Sequence, residues 1–281
     1  MSTKNLERKF FIMAGSSGVG KKTIIREVLG RRDDLVLVKS YTSRAVKDIN
    51  EKESNFFSIS RKEFEKRIAQ NQMLEYDIVH GDYMGLGKDI VDEALESSKS
   101  LIKDVTTSGY LCCKEKLEKE LSVVGIWLTA KKSDLKARLQ MRGEENIASR
   151  LKTYAKEQKD MVLFDFAIDN YNKDKTVYTV EEIIDFEHQG KNAIPLMDPS
   201  KFNIKKIEKF VRKIDRNRTL KPVKVVICNG EMFVVEGTYR YLAGLIRGVN
   251  VCKFVEEKEV NVPDLSKHCK EWGRIIKNLT K

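Results

Sequence analysis

The chain has 281 residues, and its 53 lysines and arginines outnumber its 42 acids to give a net charge of +11. This length allows two domains. The sequence contains no run of 18 apolar residues and no N-terminal apolar core, which argues against a membrane span and a secretory signal. Five cysteines without metal-ligand spacing and three scattered histidines predict a reduced, cytoplasmic chain without a zinc site.

The first predicted element is an apolar strand at 10–14, which leads into Gly-Ser-Ser-Gly-Val-Gly-Lys-Lys-Thr at 15–23 and a helical pattern at 24–29. A glycine-rich loop between a strand and a helix can turn its backbone N–H groups towards a phosphate. We therefore predict an ATP site; the alternative is a glycine-rich turn without a ligand. The predicted ATP-binding residues are Gly15, Ser17, Gly18, Val19, Gly20, Lys21, Lys22 and Thr23.

Direct magnesium ligation by this loop is disfavoured. Lys22 stands where the motif usually has a Ser or Thr whose hydroxyl meets Mg²⁺. Asp104, within the apolar run 101–105, is the predicted metal residue, because a carboxylate there can hold Mg²⁺ directly or through water. The alternative is an ordinary aspartate at a strand end. The predicted cofactors are ATP and Mg²⁺.

Short apolar runs alternate with amphipathic helical patterns through the first two thirds of the chain. The strand-like runs lie at 35–38, 101–105, 123–128 and 164–168, and the helical patterns include 62–70, 89–97 and 134–142. This alternation predicts an α/β fold, in which helices flank a parallel sheet and the nucleotide lies at the carboxyl ends of its strands.

Two clusters of basic residues follow predicted elements. Arg44 and Lys47 lie three residues apart among hydroxyl side chains, which suits a bound phosphate. Arg138 and Arg142 are four residues apart and share a helix face, and Arg150 lies further along. Such cations can move onto a transferring phosphoryl group. The alternative for this second cluster is a solvated charged helix face.

Several segments keep a characteristic order and spacing between Phe10 and Phe186. They are the loop at 15–23, Ser40-Tyr41-Thr42-Ser43-Arg44, Asn55-Phe56-Phe57-Ser58, Met73-Leu74-Glu75-Tyr76, Lys103-Asp104-Val105, Leu135-Lys136-Ala137-Arg138-Leu139 with Arg142-Gly143, and Phe166-Ala167-Ile168-Asp169-Asn170. With these segments the chain resembles the guanylate kinase family. The resemblance implies a P-loop fold and phosphoryl transfer from ATP to a nucleoside monophosphate.

The resemblance also implies roles for matching residues. Lys21 would hold the ATP phosphates, Asp104 would organise magnesium, and Ser40 and Glu75 would contact the acceptor base. Arginines at the lid would clamp the transferred group. The predicted catalytic residues are Lys21, Arg44, Arg138 and Arg142. The predicted acceptor-binding residues are Ser40, Arg44, Lys47, Phe56 and Glu75.

Six positions depart from the family pattern, among them Asn50, which matches an acidic residue, and Met84, which matches a tyrosine. Lys47 matches an arginine and Phe56 a tyrosine, while Leu86 matches a base-contacting serine and Thr106 the second acid of an Asp-x-Asp pair. The loss of hydrogen-bonding groups at a base-reading site changes discrimination by orders of magnitude. We therefore predict an acceptor other than plain GMP.

The composition changes near Gly190. Residues 189–281 hold 20 of the 53 lysines and arginines, 10 of the 42 acids and all four prolines. These shifts predict a kinase domain at 1–188 and a smaller basic domain at 189–281. A basic domain suggests DNA as a partner; the alternative is general surface solubility.

The second domain contains a predicted basic helix from Lys201 to Asn217, a predicted hairpin turn at Asn229-Gly230 and a helix that ends near Gly248. The helix begins after Gly237, where free backbone N–H groups suit an anion. This stretch resembles the ParB/sulfiredoxin superfamily, which implies an α+β domain that binds CTP, ATP or DNA. The predicted anion site consists of Glu236, Gly237 and Arg240. The alternative is a structural turn that caps a helix.

Three functions are compatible with the sequence. The first is a nucleotide kinase that carries a ParB-like domain, and the second is a kinase that acts on a hydroxymethyl pyrimidine in DNA. The third is a non-catalytic protein that binds nucleotide or DNA. Retention of Lys21, Arg44, Asp104, Arg138 and Arg142 favours an enzyme.

Overall fold

The computed structural model describes residues 8–44, 55–79, 81–144, 146–228, 230–256 and 265–280. The chain forms two compact units, of which one contains residues 1–14 and 20–125 and the other residues 15–19 and 126–281. Within the described ranges, no helix combines the length and the apolar character that a membrane span requires.

The first unit contains a parallel sheet in which β7 lies between β1 and β2. Residues 10–14 of β1 are buried, as expected for a parallel strand covered on both faces. The register places Met13 opposite Asp104. The elements of this unit are β1 Lys9–Gly15, α1 Lys21–Leu29, β2 Leu35–Leu37, β3 Ser40–Thr42, β4 Phe56–Ser58, α2 Arg61–Ala69, β5 Met73–Val79, β6 Asp82–Gly87, α3 Lys88–Glu96, β7 Ser100–Asp104 and α4 Thr107–Leu117.

A second sheet of the first unit was not predicted from the sequence. Its strand order is β4-β3-β6-β5, with β3 parallel to β4 and the other neighbours antiparallel. One polar cluster joins its strand β3 to two helices. The Tyr41 hydroxyl donates to Asp89 at 2.7 Å, and Arg67 bonds the same carboxylate at 2.9 Å. The Arg67 guanidinium also lies 4.2 Å from the centre of the Tyr41 ring.

The second unit contains a mixed sheet with the order β10-β12-β11-β13-β9-β8. The pairs β8–β9, β9–β13 and β13–β11 are parallel, so the predicted α/β architecture is confirmed for the strands at 123–128 and 164–168. The elements are β8 Ser122–Thr129, α5 Lys132–Met141, α6 Ile147–Lys152, α7 Tyr154–Asp160, β9 Phe166–Asp169, α8 Lys173–His188, β10 Ile194–Pro195, α9 Lys205–Ile214, β11 Val223–Cys228, β12 Glu231–Glu236, α10 Thr238–Arg247, β13 Lys253–Val255 and α11 Leu265–Leu279.

The C-terminal segment shares its sheet with the preceding segment. Strand β13 pairs with β9 through Lys253 opposite Phe166 and Val255 opposite Ile168. The backbone hydrogen-bond ladder therefore continues across the predicted boundary between residues 188 and 189. The boundary itself and the ParB/sulfiredoxin resemblance of 189–281 stay predictions.

Local predictions for the C-terminal segment are largely confirmed. Strands β11 and β12 form an antiparallel pair around the predicted hairpin turn, of which Asn229 lies outside the described residues. The predicted basic helix from 201 to 217 is wrong at both ends, because α9 covers only 205–214. Pro199–Lys201 forms a separate 3₁₀ turn, and Asn217 has a left-handed φ of 52° that is incompatible with a continuing helix.

The contribution of α11 to stability can be tested at Trp272. Its side chain is fully buried, and its Nε1 donates to the Met197 carbonyl at 2.8 Å. Trp272→Phe leaves that carbonyl without its donor and removes packing volume, so we expect a loss of about 1–3 kcal/mol in the free energy of unfolding. Denaturant titration measures it. Tyr178→Phe, at a 60% exposed position, is the control and should change stability by less than about 0.5 kcal/mol.

Candidate active site

The loop between β1 and α1 has the backbone of a phosphate-binding loop. Gly15, Gly18 and Gly20 have φ values of 143°, 82° and 102°, which side-chain-bearing residues rarely adopt. A Cβ at Gly15 would also lie 2.2 Å from the Leu128 carbonyl oxygen. Both constraints explain why glycine occupies these positions and why the loop can turn sharply into α1.

One carbonyl of the loop is held by two side chains. The Val19 oxygen accepts from Arg138 Nη1 at 3.1 Å and from Asn170 Nδ2 at 2.7 Å. Arg138 Nη2 also donates to the Asn170 carbonyl at 2.6 Å. Because this carbonyl is directed to these donors, the loop has a fixed backbone orientation. Asn170 was not among the predicted site residues, although it ends a quoted family segment.

The other predicted lid arginines differ in their surroundings. Arg150 donates to the Ser17 hydroxyl at 2.8 Å and pairs with Glu144 at 3.0 Å. Arg142 is exposed after the end of α5, and no hydrogen bond or ion pair of its side chain occurs among the described residues. Arg138 and Arg150 therefore contact the loop, whereas Arg142 is available to a ligand.

The helix that follows the loop begins with the two lysines of the motif. Lys21 is the first residue of α1, and Gly20 precedes it in the left-handed conformation. Thr23 is half-buried in the first turn. Lys22 is exposed, and its ammonium lies 4.5 Å from the centre of the Phe56 ring on β4. This cation–π contact links the helix start to the sheet that carries the predicted acceptor residues.

The predicted metal residue lies next to the strand that enters the loop. Asp104 ends β7 opposite Met13, and the Val105 N–H donates to the Met13 carbonyl at 3.2 Å. No group of three or more metal-ligating side chains occurs in the described ranges. A single carboxylate suits Mg²⁺ all the same, because kinase sites complete its coordination with phosphates and water.

The predicted phosphate cluster of the acceptor side lies at the end of β3. Ser40 is buried and pairs with Phe56 across β3 and β4. The Arg44 N–H donates to the Thr42 hydroxyl at 3.1 Å, and the Arg44 carbonyl accepts from Ser58 at 2.9 Å. The Arg44 side chain is exposed. Lys47 lies outside the described residues.

Glu75 occupies a confined position on β5, where it lines a cavity of about 290 Å³. A Cβ at Gly109 would lie 2.9 Å from Glu75 Oε2, so a larger residue there would require the carboxylate to shift. Burial raises the pKa of Glu75 to about 7, with Asp77 adding to the shift, while Lys103, the Leu86 N–H and Lys116 oppose it.

Lys103 is a buried cation that the sequence analysis did not select. Its side chain is 1% exposed, and its Nζ donates to the Val38 carbonyl at 2.9 Å. Burial lowers the pKa of Lys103 to about 8, against the opposing influence of Asp104 and Glu75. The sequence does contain one indication of a buried cation here, because Lys103 interrupts the apolar run 101–105.

The predicted anion site of the C-terminal segment is occupied by its own arginine. Gly237 is left-handed before α10, and a Cβ there would lie 2.6 Å from Arg240 Nη2. The same Nη2 donates to the Pro222 carbonyl at 3.1 Å and lies 3.9 Å from Glu236. The structure brings the three predicted residues together, and anion binding by them stays a prediction.

The strand, the glycine loop with its fixed backbone and the lysine at the helix start define a P-loop nucleotide-binding protein. A sequence profile of the family described as guanylate kinase matches residues 7–187. A guanylate kinase of Prochlorococcus marinus subsp. pastoris is 33% identical over 184 residues, which cover 64% of this chain and 98% of that protein. A guanylate kinase of Thermotoga maritima is 31% identical over 183 residues, with 64% and 87% covered.

Among solved structures, guanylate kinase from Anaplasma phagocytophilum superposes with a TM-score of 0.53 at 18% identity, covering 66% of this chain and 88% of that one. That likeness shows the same fold. The chain belongs to the guanylate kinase family, and it is an ATP-dependent nucleotide kinase. This confirms the predicted enzyme class and the predicted resemblance of residues 10–186.

The position of Lys21 generates the first functional test. Lys21→Ala removes the cation at the start of α1, so we expect kcat/KM for ATP to fall about 100-fold or more. ADP release and ATP titration measure the effect, and thermal unfolding should keep its midpoint. Lys132→Ala, at the exposed first residue of α5, is the control. Unchanged turnover in Lys21→Ala would contradict the assignment.

Glu75 generates a pH test. Its folded pKa of about 7 lies above the ordinary value of 4.5, so the folded protein binds this proton more tightly than the unfolded chain. Glu75 therefore contributes most to stability below pH 4.5, and its contribution falls as the pH rises towards 7. Glu75→Gln should flatten this fall in thermal unfolding between pH 4.5 and 7. Glu115→Gln, an exposed position on α4, should retain it.

Proposed function

We propose that this kinase transfers the terminal phosphoryl group of ATP to a nucleotide other than plain GMP. The relatives named above are guanylate kinases, which makes GMP the reference acceptor. One observation favours a different base: the hydroxyl of Thr106 is already engaged. It accepts from the Gly109 N–H at 3.1 Å and shares a hydrogen bond with Ser108 at 2.9 Å.

Thr106 matters because guanine presents N–H donors that two carboxylates can accept. The family resemblance matches position 106 to the second acid of an Asp-x-Asp pair. We infer that this acid would lie beside Glu75, because Gly109, whose N–H donates to the Thr106 hydroxyl, lies next to the Glu75 carboxylate. Here the hydroxyl caps α4, and Glu75 is the acid that remains. With its pKa near 7, Glu75 also accepts less fully at neutral pH than an ionised carboxylate. A site with fewer acceptors loses discrimination for guanine.

Phosphoryl transfer at this site proceeds by positioning and charge neutralisation, without a protein nucleophile. Lys21 and the loop N–H groups hold the donor phosphates. Arg44 holds the acceptor phosphate, and Arg142 moves onto the transferred group. When bound, Mg²⁺ would be held by Asp104 and the nucleotide phosphates, and it neutralises phosphate charge.

Lys22 adds a cation between the two nucleotide sites. Its ammonium lies over the Phe56 ring, at the position where the family resemblance places a phosphate-binding tyrosine. Phenylalanine at position 56 lacks the tyrosine hydroxyl, and its ring holds the Lys22 ammonium at this place. We propose that Lys22, which the sequence placed among the ATP-binding residues, instead contacts the acceptor phosphate, with Phe56 as its positioning residue.

A nucleotide within DNA is the second candidate acceptor. Residues 201–224 contain ten lysines and arginines and two carboxylates, which gives the chain a segment with the charge that a polyanion requires. If DNA is the acceptor, a hydroxymethyl pyrimidine in the duplex would supply the hydroxyl that attacks the terminal phosphate of ATP.

An acceptor panel separates these possibilities. ADP release is measured with GMP, AMP, CMP, UMP, their deoxy forms and duplex DNA with or without hydroxymethyluracil. The proposal expects at least one acceptor to exceed GMP in kcat/KM. A strong preference for GMP would overturn the acceptor assignment and leave the kinase assignment intact.

Thr106→Asp tests the reason given for this preference. Aspartate caps a helix as well as threonine does, so the fold should persist while the missing acid is restored. We expect kcat/KM for GMP to rise about tenfold or more. Thr106→Ser keeps the cap without the charge and serves as the control. No gain with Asp would mean that position 106 does not read the base.

A further inference from the structure

The exposed face of α9 carries a stripe of cations. Lys205, Lys209, Arg212 and Arg216 follow one another at spacings of four, three and four residues and are all exposed. Such spacing places side chains on one side of a helix, with Arg216 in the turn that continues it. Eleven residues at 1.5 Å rise give the stripe a length of about 16 Å.

Three of these cations have no carboxylate partner in the described part of the chain. The structure gives an ion pair only to Arg212, which lies 3.1 Å from Glu208. The other acid of the region, Asp215, binds Arg247 through two hydrogen bonds of 2.8 and 3.0 Å. The positive charge of Lys205, Lys209 and Arg216 is therefore not neutralised locally.

The opposite face of α9 is already used. Ile207 is 2% exposed, and Phe210, Val211 and Ile214 are half-buried where α9 packs on α10. A helix that inserts into a membrane surface needs a free apolar face, which α9 does not have. A compact anion such as a free nucleotide would need cations that converge, whereas these form a line.

We propose that the α9 stripe, defined as Lys205, Lys209, Arg212 and Arg216, binds the phosphate backbone of double-stranded DNA. One strand of B-DNA carries a phosphate about every 3.4 Å along the axis. The length of the stripe therefore matches about four to five successive phosphates. Phosphate contacts of this kind do not depend on sequence. The inference goes beyond the kinase function and does not depend on the acceptor.

Binding is tested with the full chain and a fluorescent 20-base-pair duplex, by anisotropy at several salt concentrations. Four phosphate contacts predict a slope of log K against log salt of about −3.6. Removing three cations in Lys205→Ala/Lys209→Ala/Arg216→Ala should weaken binding about tenfold or more at 100 mM salt and make the slope about −0.9. Kinase turnover with free nucleotides as acceptors should stay unchanged.

The control removes the same charge from another helix of the unit. Lys270, Arg274 and Lys277 are exposed on α11 at similar spacing, and their triple alanine variant should retain affinity and slope. Equal weakening by both variants would show general charge attraction and overturn the proposal. It would also be overturned if the native protein bound no duplex at 50 mM salt, or bound only vesicles rich in phosphatidylserine.

Discussion

The Val19 carbonyl is the constraint on which the active site depends. Two donors from different elements, Arg138 on α5 and Asn170 after β9, bind this single oxygen. A peptide that is held by its carbonyl also has its N–H direction fixed, so the loop keeps its phosphate-binding shape without a ligand. Arg138 therefore positions the loop, in addition to the role on the transferred phosphoryl group that was predicted for it. The cost of ordering the loop is met during folding and not during ATP binding.

A second constraint is the burial of two opposite charges, Lys103 on β7 and Glu75 on β5. Lys103 is fully buried and Glu75 is partly buried beside a cavity, and burial shifts their pKa values in opposite directions, to about 8 and about 7. Desolvation disfavours the charged form of both groups, while their mutual attraction favours it. Near neutral pH the pair is therefore close to its titration range. Any hydrogen bond that either group gains or loses would therefore change which protonation states are populated.

The parts of the structure that follow from local rules could be predicted from the sequence. The glycine loop, the strands at 101–105 and 123–128 and the hairpin before Gly237 all depend on neighbouring residues, and they were found as predicted. Strands β3 and β4 of the sheet β4-β3-β6-β5 were missed because each has only three residues and pairs with a distant segment, although β5 and β6 follow one another along the chain. Asn170 and Lys103 were missed for the same reason: the importance of each comes from a partner far along the chain. The C-terminal end of α9 was predicted wrongly because Asn217 adopts a left-handed conformation, which cannot be inferred from the pattern of charged residues.

The pairing of β13 with β9 has a consequence for how this protein can be divided. Strand β9 lies between β8 and β13. A variant of this chain that ends near residue 187, where the match to the family ends, would therefore lack β13 as a neighbour of β9. Its N–H and C=O groups would then form an open edge able to join another molecule. In this chain β13 covers that side of β9, so the C-terminal segment supplies a backbone partner to the strand that precedes Asn170.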